Sequence, residues 1–331
     1  MALVVGCGAL GEGDGGAENL PNKGVVPYVL AELLNDEGET TPYSLPAPDP
    51  AITLYLSPFA YHQGDDVRLL LEANDRDGGT GRILSARSDD GGLSFKATTV
   101  VLAPEDAPEW VDGRLGDPSL WHTDDGSALL AFSYGQGEGI GLARSDDGVA
   151  FTIDDTPLLE RGDDEGTLSD PSLVAADGVF WLYYTESFDD EEQGQISLAT
   201  AADDLVFERH GAVLLPDPGC EDDPDPCWDG VGIEGAEVRV ATTDLGRQIF
   251  RMFYSGHRGG RSNLGFASSW DGLTWERFPY NPIVSDATDT QAPSNVLVES
   301  TYLLYFQREE NARSQGIALG ALETTNPTEQ F

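Results

Sequence analysis

Between residues 50 and 322 the hydrophobic positions fall in short runs that repeat. Four segments share alternating small and apolar residues, then Asp, then an aromatic: Ile83 to Phe95, Ile140 to Phe151, Ile196 to Phe207 and Leu264 to Trp275. A fifth, Ile317 to Leu322, begins the pattern and stops. Alternation of this kind buries one face of a strand, and the Asp-Gly pairs Asp90-Gly91, Asp147-Gly148 and Asp271-Gly272 are turn formers. Each segment therefore reads as a strand, a turn and a second strand opened by an aromatic that packs between neighbouring units.

Each unit also holds a short strand, an acidic or Gly-containing turn, and a strongly apolar strand. The apolar strands are Val67 to Leu71, Ala128 to Tyr134, Val179 to Tyr184, Ile249 to Tyr254 and Tyr302 to Phe306. The aromatic markers Phe95, Phe151, Phe207 and Trp275 lie 56, 56 and 68 residues apart. Four strands per period predict an all-β fold, a five-bladed β-propeller with four-stranded antiparallel blades, occupying residues 25–331. The fifth unit lacks its outer strand, and the apolar stretch Val25 to Leu34 is the candidate to cover that open edge. Ser88 to Phe95 also fits the Asp-box of six-bladed sialidases, but the later copies are one residue shorter and no cluster of three arginines accompanies them.

Composition agrees with this picture. Gly 39 and Pro 20 in 331 residues favour many short elements joined by tight turns. No apolar run approaches the about 18 residues that span a bilayer. The formal charge of −41 excludes partners that are held by neutralising phosphates, nucleic acid first, and disfavours anionic membrane surfaces. Lys23 and Lys96 are the only lysines, a skew that fits a salt-adapted, secreted surface.

The chain opens Met1-Ala2-Leu3-Val4-Val5-Gly6-Cys7, an apolar stretch with a small residue before Cys, followed by the Gly-rich acidic run Gly8 to Asn19. This looks like the end of a bacterial lipoprotein signal with Cys7 as the lipidated residue; an ordinary terminus is the alternative. Residues 1–24 then form a signal remnant and flexible linker. The expected location is the cell envelope, anchored by lipid to a bacterial outer membrane, or the extracellular space. The two remaining cysteines, Cys220 and Cys227, share a turn-rich loop and are expected to form a local disulfide. They have no neighbouring His for a zinc site, and the Asp residues between them could hold Ca²⁺ but lack the spacing of a calcium loop, so no motif indicates a metal or cofactor and Ca²⁺ stays open as an alternative.

Aligning the units places Ser57, Asp117, Asp170, Glu234 and Ala292 at the start of the innermost strands, where side chains line a propeller's central cavity. Asp117-Pro118-Ser119-Leu120 and Asp170-Pro171-Ser172-Leu173 are one tetrapeptide at equivalent positions. Asp residues at strand starts beside Pro also serve as plain turn formers. With these motifs the sequence resembles the five-bladed propeller glycoside hydrolases, the superfamily of arabinanases, β-xylosidases, invertases and levansucrases. The resemblance implies Glu234, in Glu234-Gly235-Ala236, as general acid and Asp170 as the group that tunes pKa and orientation. It also implies an Asp base on blade one, where this chain has Ser57, and a serine hydroxyl cannot activate water at neutral pH without a base of its own. Asp117 on the second unit, or Asp49 upstream, is the replacement.

Two carboxylates flanking a glycosidic bond, one protonated and one ionised, would hydrolyse it, with their separation deciding inversion or retention. The implied partner is carbohydrate and the implied state a monomer. Trp110 and Trp228, in loops beside the acidic strands, are candidate sugar platforms, and His257 and Arg308, which follow inner strands, are candidate contacts to substrate or carboxylate. The competing reading is a non-catalytic carbohydrate-binding or scaffold lipoprotein that kept the ring and lost the base.

Overall fold

The short apolar runs form strands in the computed structural model, which describes residues 29–32, 52–75, 81–95, 97–123, 126–163, 165–188, 194–217, 228–243, 245–258, 260–284, 289–299, 301–311 and 314–323. The described strands form five antiparallel sheets. Sheet I contains β2 (Ile52–Gln63), β3 (Asp66–Asp75), β4 (Gly81–Ser88) and β5 (Ala97–Leu102). Sheet II contains β6 (Leu115–His122), β7 (Ala128–Tyr134), β8 (Gly139–Ser145), β9 (Thr152–Ile153) and β10 (Leu159–Glu160). Sheet III contains β11 (Thr167–Ala176), β12 (Val179–Ser187), β13 (Gly194–Ala201) and β14 (Glu208–Leu214). Sheet IV contains β15 (Gly232–Thr242), β16 (Gln248–Arg258), β17 (Arg261–Ser269) and β18 (Glu276–Arg277). Sheet V contains β19 (Asp289–Val298), β20 (Thr301–Asn311), β21 (Ser314–Glu323) and, at its outer edge, β1 (Val29–Glu32).

Val29 pairs with Glu323 and Glu32 with Gly320, so a strand from within the stretch Val25 to Leu34 does complete the fifth unit. The expectation of four strands everywhere fails in sheet II. There the outer strand is split into β9 and β10, which both pair with β8, because the turn-rich run Asp154-Asp155-Thr156-Pro157 interrupts it.

The inner strands pack in sequence, β2 on β6, β6 on β11, β11 on β15 and β15 on β19, and β19 returns to β2. Apolar side chains accordingly collect between sheets, with a separate core at each contact. Leu70, Leu115 and Leu130 lie between sheets I and II, and Leu142, Leu173 and Tyr184 between II and III. Tyr183, Val238 and Met252 lie between III and IV, Phe253, Phe266 and Leu304 between IV and V, and Leu71, Val296 and Tyr305 between V and I. The second strand of each sheet is apolar on both faces because a neighbouring sheet covers each one. This arrangement of antiparallel blades is a β-propeller.

The repeated Asp turn is a structural device. In three copies Ser88, Ser145 and Ser269 donate to Asp90, Asp147 and Asp271 at 2.8, 3.0 and 2.9 Å. Those carboxylates accept the backbone N–H groups that follow, Ser94 at 2.8 Å, Ala150 at 2.9 Å and Thr274 at 2.7 Å, closing the turn as an Asx cap does. Tyrosines of the preceding sheets then hold two of these turns: Tyr305 donates to the Gly92 carbonyl at 2.7 Å and Tyr183 to the Gly272 carbonyl at 2.9 Å. Phe95 meets Tyr305, and Trp275 meets Tyr183, edge to face, at 5.9 and 5.7 Å between centroids, which is the inter-unit packing expected of the markers.

Every inner strand carries the same bulge. Its pairing jumps between Leu56 and Phe59, Gly116 and Ser119, Ser169 and Ser172, Glu234 and Glu237, and Gln291 and Ser294. One residue at each jump has positive φ: Ser57 at 45°, Asp117 at 49°, Asp170 at 48°, Gly235 at 60° and Ala292 at 48°. In four cases the next residue is proline, which has no N–H to leave unpaired at the bulge. Holding four non-glycine residues there costs on the order of 1–2 kcal/mol each, which the surrounding ring must offset.

Two residues past the bulge residue, a side chain accepts an N–H of the next sheet. Ser119 accepts Leu173 N–H at 3.0 Å, Ser172 accepts Val238 N–H at 2.9 Å, Glu237 accepts Asn295 N–H at 2.8 Å and Ser294 accepts Ala60 N–H at 2.8 Å. Phe59 takes this position in sheet I, and Arg239 lies over its ring with the guanidinium carbon 4.7 Å from the centroid. These contacts stitch the inner strands round the axis and fix the bulge residues relative to one another.

Candidate active site

The bulge residues face a narrow axial cavity of about 40 Å³ whose lining includes Ser57, Asp117, Asp170, Gly235 and Ala292. One register assignment made from sequence is corrected here. Glu234 is not the equivalent of Asp117 and Asp170; Gly235 is, and Glu234 stands one residue earlier, in step with Leu56, Gly116, Ser169 and Gln291. Sheet IV has Ala236 where the other sheets have proline, so the marker that fixes the register elsewhere is missing.

The shift does not remove Glu234 from the site. Asp170, half-buried on β11, has its carboxyl pushed well above the usual carboxylate range, first by burial, then by repulsion from Asp117 and from Glu234. Asp170 therefore senses a carboxylate from the inner strand on either side of its own. Opposing that rise, Ser169 donates to Asp170 Oδ2 at 2.9 Å, and the Thr185 hydroxyl, which accepts Gly235 N–H at 3.1 Å, also serves Asp170. Asp117 accepts Ser57 Oγ at 2.6 Å on Oδ1 and Ser133 Oγ at 2.5 Å on Oδ2. Ser57, standing where a blade-one acid was expected, thus donates to the neighbouring sheet's acid.

Glu234 is one-third exposed, and its Oε1 lies 2.9 Å from Nε2 of the buried His257, an ion pair whenever the imidazole is protonated. The structure therefore brings His257 to Glu234, as a contact to that carboxylate. Arg308 sits on β20 opposite Thr290 and does not line the axial cavity. Trp110 and Trp228 sit in packing positions away from that lining. Trp110 lies edge to face on Tyr134 at 4.8 Å and covers Gly141, where an added Cβ would come 2.8 Å from its ring. Trp228 lies on Tyr254 at 5.4 Å and covers Gly256 and Gly265, the glycines being what leaves room for the indole. Gly265→Ala should therefore dislodge Trp228 and cost about 1–3 kcal/mol of stability, read by urea unfolding with a red shift in tryptophan emission. Cys7, Cys220, Cys227 and Asp49 lie outside the described residues.

Two members of the site escaped the sequence reading, Glu72 and Arg114. Glu72, on β3 opposite Leu56, has no exposed surface. Its Oε1 accepts Arg114 Nε at 3.0 Å, Arg114 Nη2 at 2.7 Å and Asn74 Nδ2 at 2.8 Å. The signal was an acid directly after the three consecutive leucines Leu69 to Leu71, where a buried strand has no use for a charge.

No protein-family model and no curated protein sequence matches the chain. Solved structures match its fold over most of its length. A structure described as a glycoside hydrolase aligns over 91% of this chain and 93% of its own with a TM-score of 0.66 and 16% identity. A thermostable family-43 glycoside hydrolase aligns over 86% and 96%, with a TM-score of 0.63 and 19% identity. The β-1,2-mannobiose phosphorylase of Listeria innocua aligns over 86% and 94%, with a TM-score of 0.63 and 14% identity.

Proposed function

We propose that this chain is a five-bladed propeller glycoside hydrolase, exported to the cell envelope or beyond, that cleaves polysaccharide or oligosaccharide fragments. Residues 25–331 form the propeller and residues 1–24 the signal remnant and tether, with Cys7 as the lipid attachment point and Cys220 and Cys227 as a disulfide. The observation that carries the reading is the approach of Asp117 and Glu234 to Asp170 from either side, close enough for both to raise its carboxyl. Hydrolysis needs one proton held and one carboxylate ionised across the scissile bond. Asp170, with its raised carboxyl, is the store of the proton. Glu234, the more accessible end, delivers it to the leaving oxygen, while Asp170 orients and tunes it. Asp117, clasped by Ser57 and Ser133, is the base toward water. Phosphate is a poor substitute for that water here, because Glu72, Asp117, Asp170 and Glu234 outnumber Arg114 as the fixed cation.

One observation favours a second reading: the serine at the blade-one position leaves a binding module as the outcome if Asp117 cannot act as base. A panel of aryl and alkyl arabinofuranosides and xylopyranosides distinguishes the two. For a hydrolase, Glu234→Gln should slow an alkyl glycoside by about 10²-fold and a 2,4-dinitrophenyl glycoside by only a few-fold, since a good leaving group does not need the proton. Equal losses on both would remove Glu234 as the acid. Oligosaccharide binding by calorimetry with no turnover of any panel member would establish the binding module.

A further inference from the structure

The acid that blade one lacks at the axis is present one strand further out. Ser57 occupies the bulge of β2, while Glu72 stands on β3 beside it, paired in register with Leu56. A carboxyl with no exposed surface needs a reason to be where it is, since burial of an unneutralised charge costs several kcal/mol. Its surroundings satisfy only one of its oxygens. Oε1 accepts all three bonds from Arg114 and Asn74, whereas Oε2 has no hydrogen-bond partner. Oε2 instead lies against Gly116, so closely that any Cβ there would collide with it, and Gly116 directly precedes Asp117 in the bulge.

We propose that Glu72 is a positioning residue for the reaction assigned above, acting through Arg114 and the Gly116-Asp117 bulge on the carboxylates that face the substrate. The proposal rests on that assignment for its catalytic meaning, and on geometry for its place. Arg114 is the link: it grips Glu72 and its charge is felt by Asp117, Glu72 and Asp170 together. The charged groups facing Glu72 are Asp117 and Arg114, with Asn74 as the neutral donor. Burial, then repulsion from Asp117, pushes the Glu72 carboxyl up to about 7, against the pull of Arg114 and Asn74. Below that pH Glu72 is neutral, and the Arg114 charge balances Asp117. Above it, Glu72 claims Arg114 and the cluster gains one negative charge. Like-charge repulsion then holds the proton on Asp170 to higher pH.

The sign of the stability effect follows from the raised value. Protonated Glu72 suits the fold, so its contribution is complete below its unfolded value near 4.5 and is lost as pH rises through about 7. Glu72→Gln keeps an acceptor for Arg114 and Asn74 and removes the titration. Its unfolding midpoint in urea should gain on the parent between those two pH values.

The deciding experiment is a carboxyl-carbon NMR titration of the chain labelled at Asp and Glu, combined with the pH profile of kcat/KM on a methyl glycoside, whose leaving group needs the proton. In Glu72→Gln, a titration near pH 7 should disappear and the Asp170 midpoint should fall by up to about one pH unit. The alkaline limb of the profile should move down by the same amount, with the rate at the optimum within a few-fold. Arg114→Gln should move the Asp170 midpoint the opposite way, which keeps the test available if Glu72→Gln does not fold. An Asp170 midpoint unmoved in the folded variants would overturn the proposal. If no chain turns over a glycoside but the midpoints move as stated, the electrostatic link stands and the hydrolase reading is what fails.

Discussion

Asp117→Asn should abolish turnover of activated and unactivated glycosides alike, by on the order of 10⁴-fold, without unfolding the protein. The substitution is chosen for its backbone. Asp117 has φ of 49°, a conformation that asparagine tolerates better than almost any residue except glycine, so the bulge should survive. The amide oxygen can still accept one of the two serine hydroxyls that hold the carboxylate. What disappears is the charge and the ability to take a proton from water, and general-base loss is worth about 10²–10⁴-fold. The effect should be insensitive to the leaving group, in contrast to Glu234→Gln, because the base acts on the attacking water in every case. Single-turnover rates on matched dinitrophenyl and methyl glycosides, with unfolding curves as control, measure it. Residual activity above a tenth of the parent would remove Asp117 from the mechanism.

Glu237→Ala should be the costliest change for stability, by about 3–5 kcal/mol, although Glu237 neighbours the proposed acid. The side chain is almost wholly buried and accepts Ser294 Oγ, Asn295 N–H and Asn295 Nδ2, each at 2.8 Å, in addition to Arg239. Truncation leaves those donors without their acceptor and strips Arg239 of its counter-charge while it sits over Phe59. It also opens the stitch between sheets IV and V, so the loss extends to ring closure. Calorimetry should show a midpoint lowered by roughly 6–20 °C, from about 2–4 °C per kcal/mol in a chain of this size. Glu237→Gln, which preserves an acceptor for Asn295, should recover a large part. A loss under about 1 kcal/mol for the alanine variant would show that the stitch contributes little.

Legibility in the sequence followed physical regularity. The strands, the Asp turns and the inter-unit aromatics were readable because they recur in the same order from unit to unit, and because a half-buried strand enforces alternation. The completing role of Val25 to Leu34 was readable as an arithmetic deficit of one strand. The split of the outer strand into β9 and β10 was not, since two-residue strands carry no period. The position of Glu234 was misjudged by one because a bulge inserts a residue, and only its proline reveals where. Trp110 and Trp228 read as candidate sugar platforms because they stand in loops beside the acidic strands; the glycines that receive them, Gly141, Gly256 and Gly265, lie about 30 or more residues off in sequence. Glu72 and Arg114 form a pair 42 residues apart, and nothing in either local segment names the other.

The pairing of β1 with β21 fixes the order in which the molecule can be completed. The partners Val29 and Glu323 stand 294 residues apart, so sheet V gains its edge only after the fifth unit has been synthesised. Sheets I to IV are built from contiguous segments and can form as they emerge, whereas the final hydrogen bonds span nearly the whole polypeptide and carry the largest loop-closure cost. Until then β21 presents an open edge on which a second copy's N-terminal segment can dock, so a newborn chain is most prone to strand exchange at the step that finishes it.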